Sequence, residues 1–332
     1  MRAFAIVMMI QGHTIHSLLN ISYSNSITYN IWLSLRAFTA PLFIFVSGFV
    51  FTFLLFQNKI EFKTNPRVKN GIKRGVTLIL IGYLLRYPTI NIFNLANVTF
   101  PHWVTFFAVD ALHLIGIGLL LILCFTFITE KINVNPIITF ALLGLTVFAL
   151  SPVMNSLVWD RTKNIFLISY ITKQFGSNFL IFPYLGYIFL GSIFGYLLRK
   201  NNKFLDNKIV SLKLLFGGVT IILLSLLIKT NYSVILLSVG VILLLLPSFG
   251  YISKKIKSPP NVVQSIAKNS LWIYIIHLIL IYGSPTSIGL YQIVGKTQSA
   301  SVAIFVAVAM VILMTIISLG IDKLKVTKFK VF

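Results

Sequence analysis

Acid is nearly absent from this chain. Asp and Glu together number 6 among 332 residues, against 28 Lys and Arg, and charged residues make up only 10% of the whole. An average soluble domain carries about 25%, so a surface built to face water on every side is excluded. Cysteine is scarcer still. Cys124 stands alone inside an apolar run, which rules out a disulfide framework and a cysteine metal cage. The patterns GxxxxGK(S/T), HExxH and CxxC are all missing, and no GxSxG elbow sits on a soluble sheet. Nucleotide-driven pumping and the common hydrolase mechanisms therefore lack their machinery. No internal repeat and no low-complexity tract interrupts the chain.

What is present is hydrophobic, at 57% of residues. Crossing a bilayer takes roughly 20 apolar residues, and runs of that length recur from end to end, which predicts an all-α, polytopic integral membrane protein of about ten transmembrane helices. The expected spans are 2–19, 31–57, 68–87, 105–128, 134–154, 179–198, 212–228, 232–252, 265–284 and 299–324, packed in one bundle that forms a single domain over residues 1–332. The first run is too long, and too directly followed by a second, for a removed signal peptide. Basic residues fall mostly on alternate connections: Arg2, the run 59–74, Lys131, and the clusters at 199–213, 254–268 and 323–330. Cytoplasmic loops are the ones enriched in Lys and Arg, so both termini are expected in the cytoplasm of a cell-membrane protein. Clustered charge of this kind fits membrane orientation and not a continuous nucleic-acid-binding face. Membrane lipids are the expected surroundings, and a homodimer is left open.

Ionisable side chains inside spans are costly and point to function by default. Here they are His13, His16, Arg36, Arg86, Asp110, His113 and His277, with His102 just before the fourth span. At 1.5 Å per residue His13 lies about 16 Å from Arg2, near mid-membrane, and His16 follows one turn later on the same face. Nearly all of these groups fall in the outer half of the membrane, which predicts one outward-open cavity built by the first, second, third, fourth and ninth spans. Each has a plainer reading. A lone histidine can be an interhelix contact, Asp110 with His113, Arg36 or Arg86 can be a buried ion pair, and His102 beside Trp103 reads as interfacial. The pairing of His13 with His16 tips those two toward function. The inner segment RVKNGIKRG, from Arg67, is the densest basic stretch. Topology alone accounts for it, although a phosphate-rich ligand would need the same charges.

Arg2 followed by AFAIVMMIQG and His13 resembles the R-x10-H signature of the transmembrane acyltransferases, which comprise the acyltransferase-3 family and the heparan-α-glucosaminide N-acetyltransferase-like proteins. TAPLFIFVSGFVFTFLL, from Thr39, is similar to their P-L-F-x-F-x-S-G helix, and SLWIYIIH, from Ser270, to a late S-x-x-I-Y-x-x-H helix. DALHLIGIG and FPYLGYIFLG lean toward the second branch. One departure is that several residues, often with an acid, precede the arginine in the family, where Met1 alone does here.

The resemblance implies transfer of an acyl group, acetyl in the first instance, from cytoplasmic acetyl-CoA or another acyl-CoA to a hydroxyl or amine of an extracytoplasmic glycan or lipid-linked sugar. It implies no metal. Imidazole, with an ordinary pKa near 6.5, can take the acceptor's proton, an effect typically worth about 10²–10⁴-fold. His13 is accordingly expected as general base, or as the carrier in an acyl-imidazole route. Asp110 is the expected partner of His13, His16 or His113, and His277 joins the catalytic set. Arg36 or Arg86 would polarise the thioester carbonyl or bind an acidic acceptor. Arg67, Lys69, Lys73 and Arg74, with Arg2 nearby, are expected on the coenzyme A phosphates, Ser47 and Gly48 along the pantetheine arm, and Arg86, His102 and Trp103 on the acceptor. Two other classes compete. A proton-coupled secondary transporter would use the same His and Asp cluster, though repeated halves and broken helices are not evident, and a scaffold would need no buried titratable groups.

Overall fold

The computed structural model describes residues 1–57, 60–89, 95–96, 98–158, 164–228, 230, 232–256, 258–284 and 286–329, with side chains through 324. Residues 159–163 of the VWDRTKN loop, residues 93–94 and 97 of FNLANVTFPHW, and the cations Lys59, Lys229, Lys257 and Lys330 lie outside the described residues.

Among the described residues the chain is mainly α-helical, and β pairing is limited to two isolated bridges. In order, the helices are α1 (Arg2–Leu18), α2 (Ile27–Ala37), α3 (Thr39–Leu55), α4 (Pro66–Leu85), α5 (Phe100–Phe107), α6 (Ala111–Lys131), α7 (Pro136–Ser156), α8 (Ile165–Ile168), α9 (Ile181–Lys200), α10 (Lys208–Leu227), α11 (Ser233–Lys255), α12 (Asn261–Lys268), α13 (Ser270–Tyr282), α14 (Leu290–Val294) and α15 (Ala300–Phe329). Among the described residues seven segments are long and apolar enough to cross a membrane, α2 and α3 counting as one, or eight if α12 and α13 form one bent span. The expected ten is not reached by that measure. Of the remaining two, α1 has only 17 residues, and α4 opens on Arg67, Lys69, Lys73 and Arg74.

Three expected spans are interrupted, each for a local reason. The second breaks at Phe38, because Pro41 has no N–H for the Ala37 carbonyl and its ring crowds that oxygen. The fourth breaks between Phe107 and Ala111, where Asp110 caps the new helix with its side chain. The ninth bends by 76° at Asn269. There Asn269 Nδ2 donates to Ser318 O of α15 at 3.1 Å and to Asp322 Oδ1 at 2.9 Å, so a side chain holds the corner.

The chain forms two compact units, residues 1–43 with 248–332, and residues 44–247. In the first, α1 packs on α12, α13 and α15. Ile6, Ile10 and Thr14 of α1 are buried at helical spacing, and so are Ala303, Ala307, Met310, Met314 and Ser318 of α15. The opposite side of α15 leaves Ile304, Phe305, Val308 and Ile312 exposed, as a lipid-facing surface requires. Asn20 N donates to Gln298 O, and Gln298 N to Leu18 O, both at 2.9 Å, tying the end of α1 to the segment before α15.

In the second unit α4 packs on α6, and α9 on α7 and α6. Glycine sets these approaches, as is common where helices meet without water. A Cβ on Gly75 would fall 3.1 Å from Gly116 O, one on Gly191 2.1 Å from Phe45 O, and one on Gly195 2.3 Å from Phe49 O. Gly191→Ala would force α9 off α3, and overpacking of this kind costs about 1–3 kcal/mol. Thermal unfolding in detergent should show a clearly lowered midpoint; an unchanged one would mean that α9 does not sit so close.

Candidate active site

The first unit gathers His13, His16, Arg36 and His277. His277 is fully buried in α13, and its Nδ1 lies 2.8 Å from Ile273 O. A carbonyl only accepts, so Nδ1 carries the hydrogen and Nε2 presents a lone pair. That Nε2 is buried with no hydrogen-bond partner among the described residues. The ring of His13 is centred 5.6 Å from that of His277 and 5.7 Å from Tyr282, and its Nδ1 lies 3.0 Å from Tyr282 Oη. Tyr274 stands edge-on to His277 and stacks on Phe43, which fixes the far side of the imidazole.

Arg36 reaches this cluster because residue 12 is glycine: a Cβ there would meet the Arg36 Nε at 3.3 Å and its Cγ and Cδ at 3.4 Å. The guanidinium carbon sits 5.6 Å over the ring of Trp32, whose Nε1–H donates to Gln11 Oε1 at 3.2 Å. Residues 11 to 13 therefore hold, in turn, the platform of the arginine, its berth and the candidate base. One turn on, His16 lines a small hollow with Asn20, Ser24, Tyr29 and Lys296. Tyr282, Gln11, Trp32 and Lys296 were not singled out by sequence. Tyr282 lies five residues beyond His277, off its helical face, and the contacts of Lys296 depend on the Gln298 bridge, so no local pattern announces them.

Asp110, His113 and Arg86 belong to the second unit. Asp110 is the N-cap of α6, not a residue inside a span: Oδ1 accepts from Leu112 N at 2.9 Å and lies 3.0 Å from His113 Nδ1. Of the three histidines proposed as its partner, it takes His113. Arg86 Nε lies 3.7 Å from Oδ2, at the end of α4. Gly82 clears the space for the buried His113 ring, which Tyr83 meets edge-on at 4.3 Å. Tyr83 and Tyr170 share a hydroxyl hydrogen bond of 2.9 Å. Burial, and then the Tyr83 hydroxyl, push the Tyr170 phenol far up, so it stays neutral. Ser177 Oγ accepts from Val109 N at 2.9 Å, and Asn178 N donates to Val109 O at 3.1 Å. These contacts lock the start of α6 to the segment that precedes α9.

The remaining expected residues divide in the same way. Lys69 and Lys73, joined by Lys63, Asn65, Val68 and Ile72, line an open hollow of ≈ 380 Å³ at the start of α4. Asn65 caps that helix by accepting from Arg67 N and donates from Nδ2 to Leu55 O. Arg67 turns to Gln57 Oε1 at 3.4 Å, and Arg74 is exposed on α4 without lining the hollow. Arg199 of α9 donates to Phe56 O and Gln57 O. Arg2 opens α1, half-buried, in the first unit. Ser47 lies within α3, and the space that Gly48 leaves is filled by Ile188 O, 2.2 Å from a Cβ there, so this glycine serves helix packing. His102 caps α5, with Nδ1 accepting from Thr99 N at 3.1 Å, and Trp103 packs on Phe106 and Phe107. No group of three His, Cys, Asp or Glu able to hold a metal ion occurs among the described residues.

An all-helical integral membrane protein with a histidine pair and an arginine at one helix end fits group transfer within a membrane better than any soluble enzyme class. The family itself follows from comparison. The chain matches the acyltransferase-3 family model, described as an acyltransferase domain, over residues 1–320, and it belongs to that family. That is the first of the two branches the sequence resembles. No curated protein and no solved structure matches the chain.

Proposed function

We propose that this membrane acyltransferase moves an acetyl group from acetyl-CoA to a hydroxyl or amine of a glycan or lipid-linked sugar on the far side of the cell membrane, with His13 as general base. The observation that carries the proposal is the Tyr282 hydroxyl, 3.0 Å from His13 Nδ1. For Nε2 to accept a proton, Nδ1 must hold the hydrogen and donate it to Tyr282 Oη. A phenol oxygen accepts as well as donates, so this contact accommodates the tautomer that a base needs. The acceptor's proton passes to Nε2 as its oxygen or nitrogen bonds the thioester carbonyl carbon. The C–S bond then breaks, and the proton leaves with the coenzyme A thiol. An acyl-imidazole on Nε2 would use the same tautomer in two steps. Asp110, which proton-coupled transport would need as a relay, caps a helix instead, so that alternative gains no support.

Lys63, Lys69 and Lys73 are the residues we assign to the donor's phosphates, as mobile point charges on a polyanion. Purified protein in detergent, given acetyl-CoA and a cell-envelope glycan extract, should release free thiol. Lys69→Ala/Lys73→Ala should raise KM for acetyl-CoA by about tenfold with kcat little changed, as loss of uniform binding does. Absence of any thiol release and of saturable acetyl-CoA binding in well-folded protein would refute the acyltransferase assignment.

A further inference from the structure

The first unit carries its charge unevenly. Within residues 1–43 and 248–332 the sequence holds a single acid, Asp322. That carboxylate accepts from Asn269 at the α12–α13 corner. It lies about 33 Å along α15 from Ala300, at 1.5 Å per residue, whereas Lys296 stands just before Ala300. At the Lys296 end Arg36 and Lys296 stand with no acid of this unit beside them. His16 is within electrostatic range of both Arg36 and Lys296, and His13 within range of Arg36 and His16.

Arg36 is half-buried, lies over Trp32, and has no carboxylate partner among the described residues. A cation partly removed from water and left unpaired is destabilising unless something supplies the opposite charge. Nothing in this unit can do so, because its one acid is at the other end of α15. Tyr29, whose ring is centred 5.5 Å from that of Trp32 beneath Arg36, also lines the hollow of His16, Asn20, Ser24 and Lys296, where hydrogen-bonding groups are already in place. A planar guanidinium together with an ammonium is a combination suited to an oxyanion.

We infer that this end of the first unit is an anion site, and that the acceptor carries a carboxylate or phosphate close to the group that is acylated, bound by Arg36 and Lys296 with His16 at the rim. The word acceptor rests on the acyltransferase reading; the anion site does not. A uronic-acid sugar and the polyprenyl phosphate of a lipid-linked sugar offer the same oxyanion chemistry.

Full-length protein in detergent would be titrated with methyl glucuronide against methyl glucoside, and with a polyprenyl phosphate against the matching polyprenol. Tryptophan emission is the signal and Trp32→Phe the blank, since Arg36 lies on that indole. At least one anion should bind saturably and about tenfold or more tightly than its uncharged twin, and the arm in which it does so identifies the source. Arg36→Gln and Lys296→Gln should each weaken that binding by about tenfold, and Arg36→Lys by less, because it keeps the charge. Lys296 is exposed in a connection, so its variant remains informative if Arg36→Gln does not fold. The anion site is overturned if neither anion is preferred over its twin, or if Lys296→Gln leaves the affinity unchanged. His13-dependent thiol release from acetyl-CoA is followed on the same preparations. Anion binding without turnover sinks the acyltransferase reading alone, and turnover without anion preference sinks the anion site alone.

Discussion

His13→Ala should abolish thiol release from acetyl-CoA, lowering turnover by about 10²–10⁴-fold, the range that a positioned base contributes. The protein should still fold. His13 is only partly buried, its hydrogen bond is to a tyrosine near the end of α13, and the α1 core is made by Ile6, Ile10 and their neighbours. Tyr282→Phe is the informative companion. It keeps the ring that meets His13 edge-on and removes only the oxygen at 3.0 Å. Without that oxygen the Nδ1 hydrogen has no partner to steady it as the imidazole becomes charged, so kcat should fall by about tenfold while KM for acetyl-CoA holds, the pattern of an interaction felt mainly in the transition state. Measuring kcat and KM separately for both variants decides the matter. If His13→Ala turned over acetyl-CoA at the wild-type rate, the base would lie elsewhere and the tautomer argument would fall with it.

Much of the helical frame could be read from sequence because membrane helices announce themselves by length and apolarity, and their ends by caps. Asn65-Pro66 and Asn135-Pro136 begin α4 and α7 as an N-cap followed by proline at the first helical position should, with each Asn side chain accepting from the backbone N–H two residues on. The interruptions were harder to read. Pro41 does mark the break at Phe38, since proline removes a hydrogen bond and crowds the preceding turn, but an apolar run on both sides disguises it. The corner at Asn269 depends on Ser318 and Asp322, roughly fifty residues away in sequence, and no local rule reaches that far. Site residues divide in the same manner. His13, His16, Arg36 and His277 were legible because a titratable side chain in an apolar run is conspicuous. Tyr282, Trp32 and Gln11 were not, because aromatic and amide side chains are ordinary in such helices and acquire meaning only through contacts across the unit.

Asp110→Ala should destabilise the second unit by about 3 kcal/mol, and Asp110→Asn by about 2 kcal/mol. The two differ because the carboxylate does two separable things. As an N-cap it accepts from Leu112 N, a role worth about 1 kcal/mol that asparagine performs as well as aspartate. As a charge it faces Arg86 at 3.7 Å and the buried His113 at 3.0 Å, and removing one partner of a largely buried pair leaves the other uncompensated. Arg86 keeps some exposure, its side chain being 26% accessible, so the loss falls short of that for a fully buried pair. Alanine forfeits both roles; asparagine forfeits the charge alone, while its amide can still meet His113 Nδ1. Unfolding midpoints in detergent for wild type and the two variants, read beside acetyl-CoA turnover, distinguish this positioning role from catalysis. If Asp110 only caps α6, Asp110→Asn retains both its midpoint and most of its turnover. A variant that is stable yet inactive would instead bring Asp110 into the chemistry, and the buried Nε2 of His113, which has no partner among the described residues, would be the atom through which it acts.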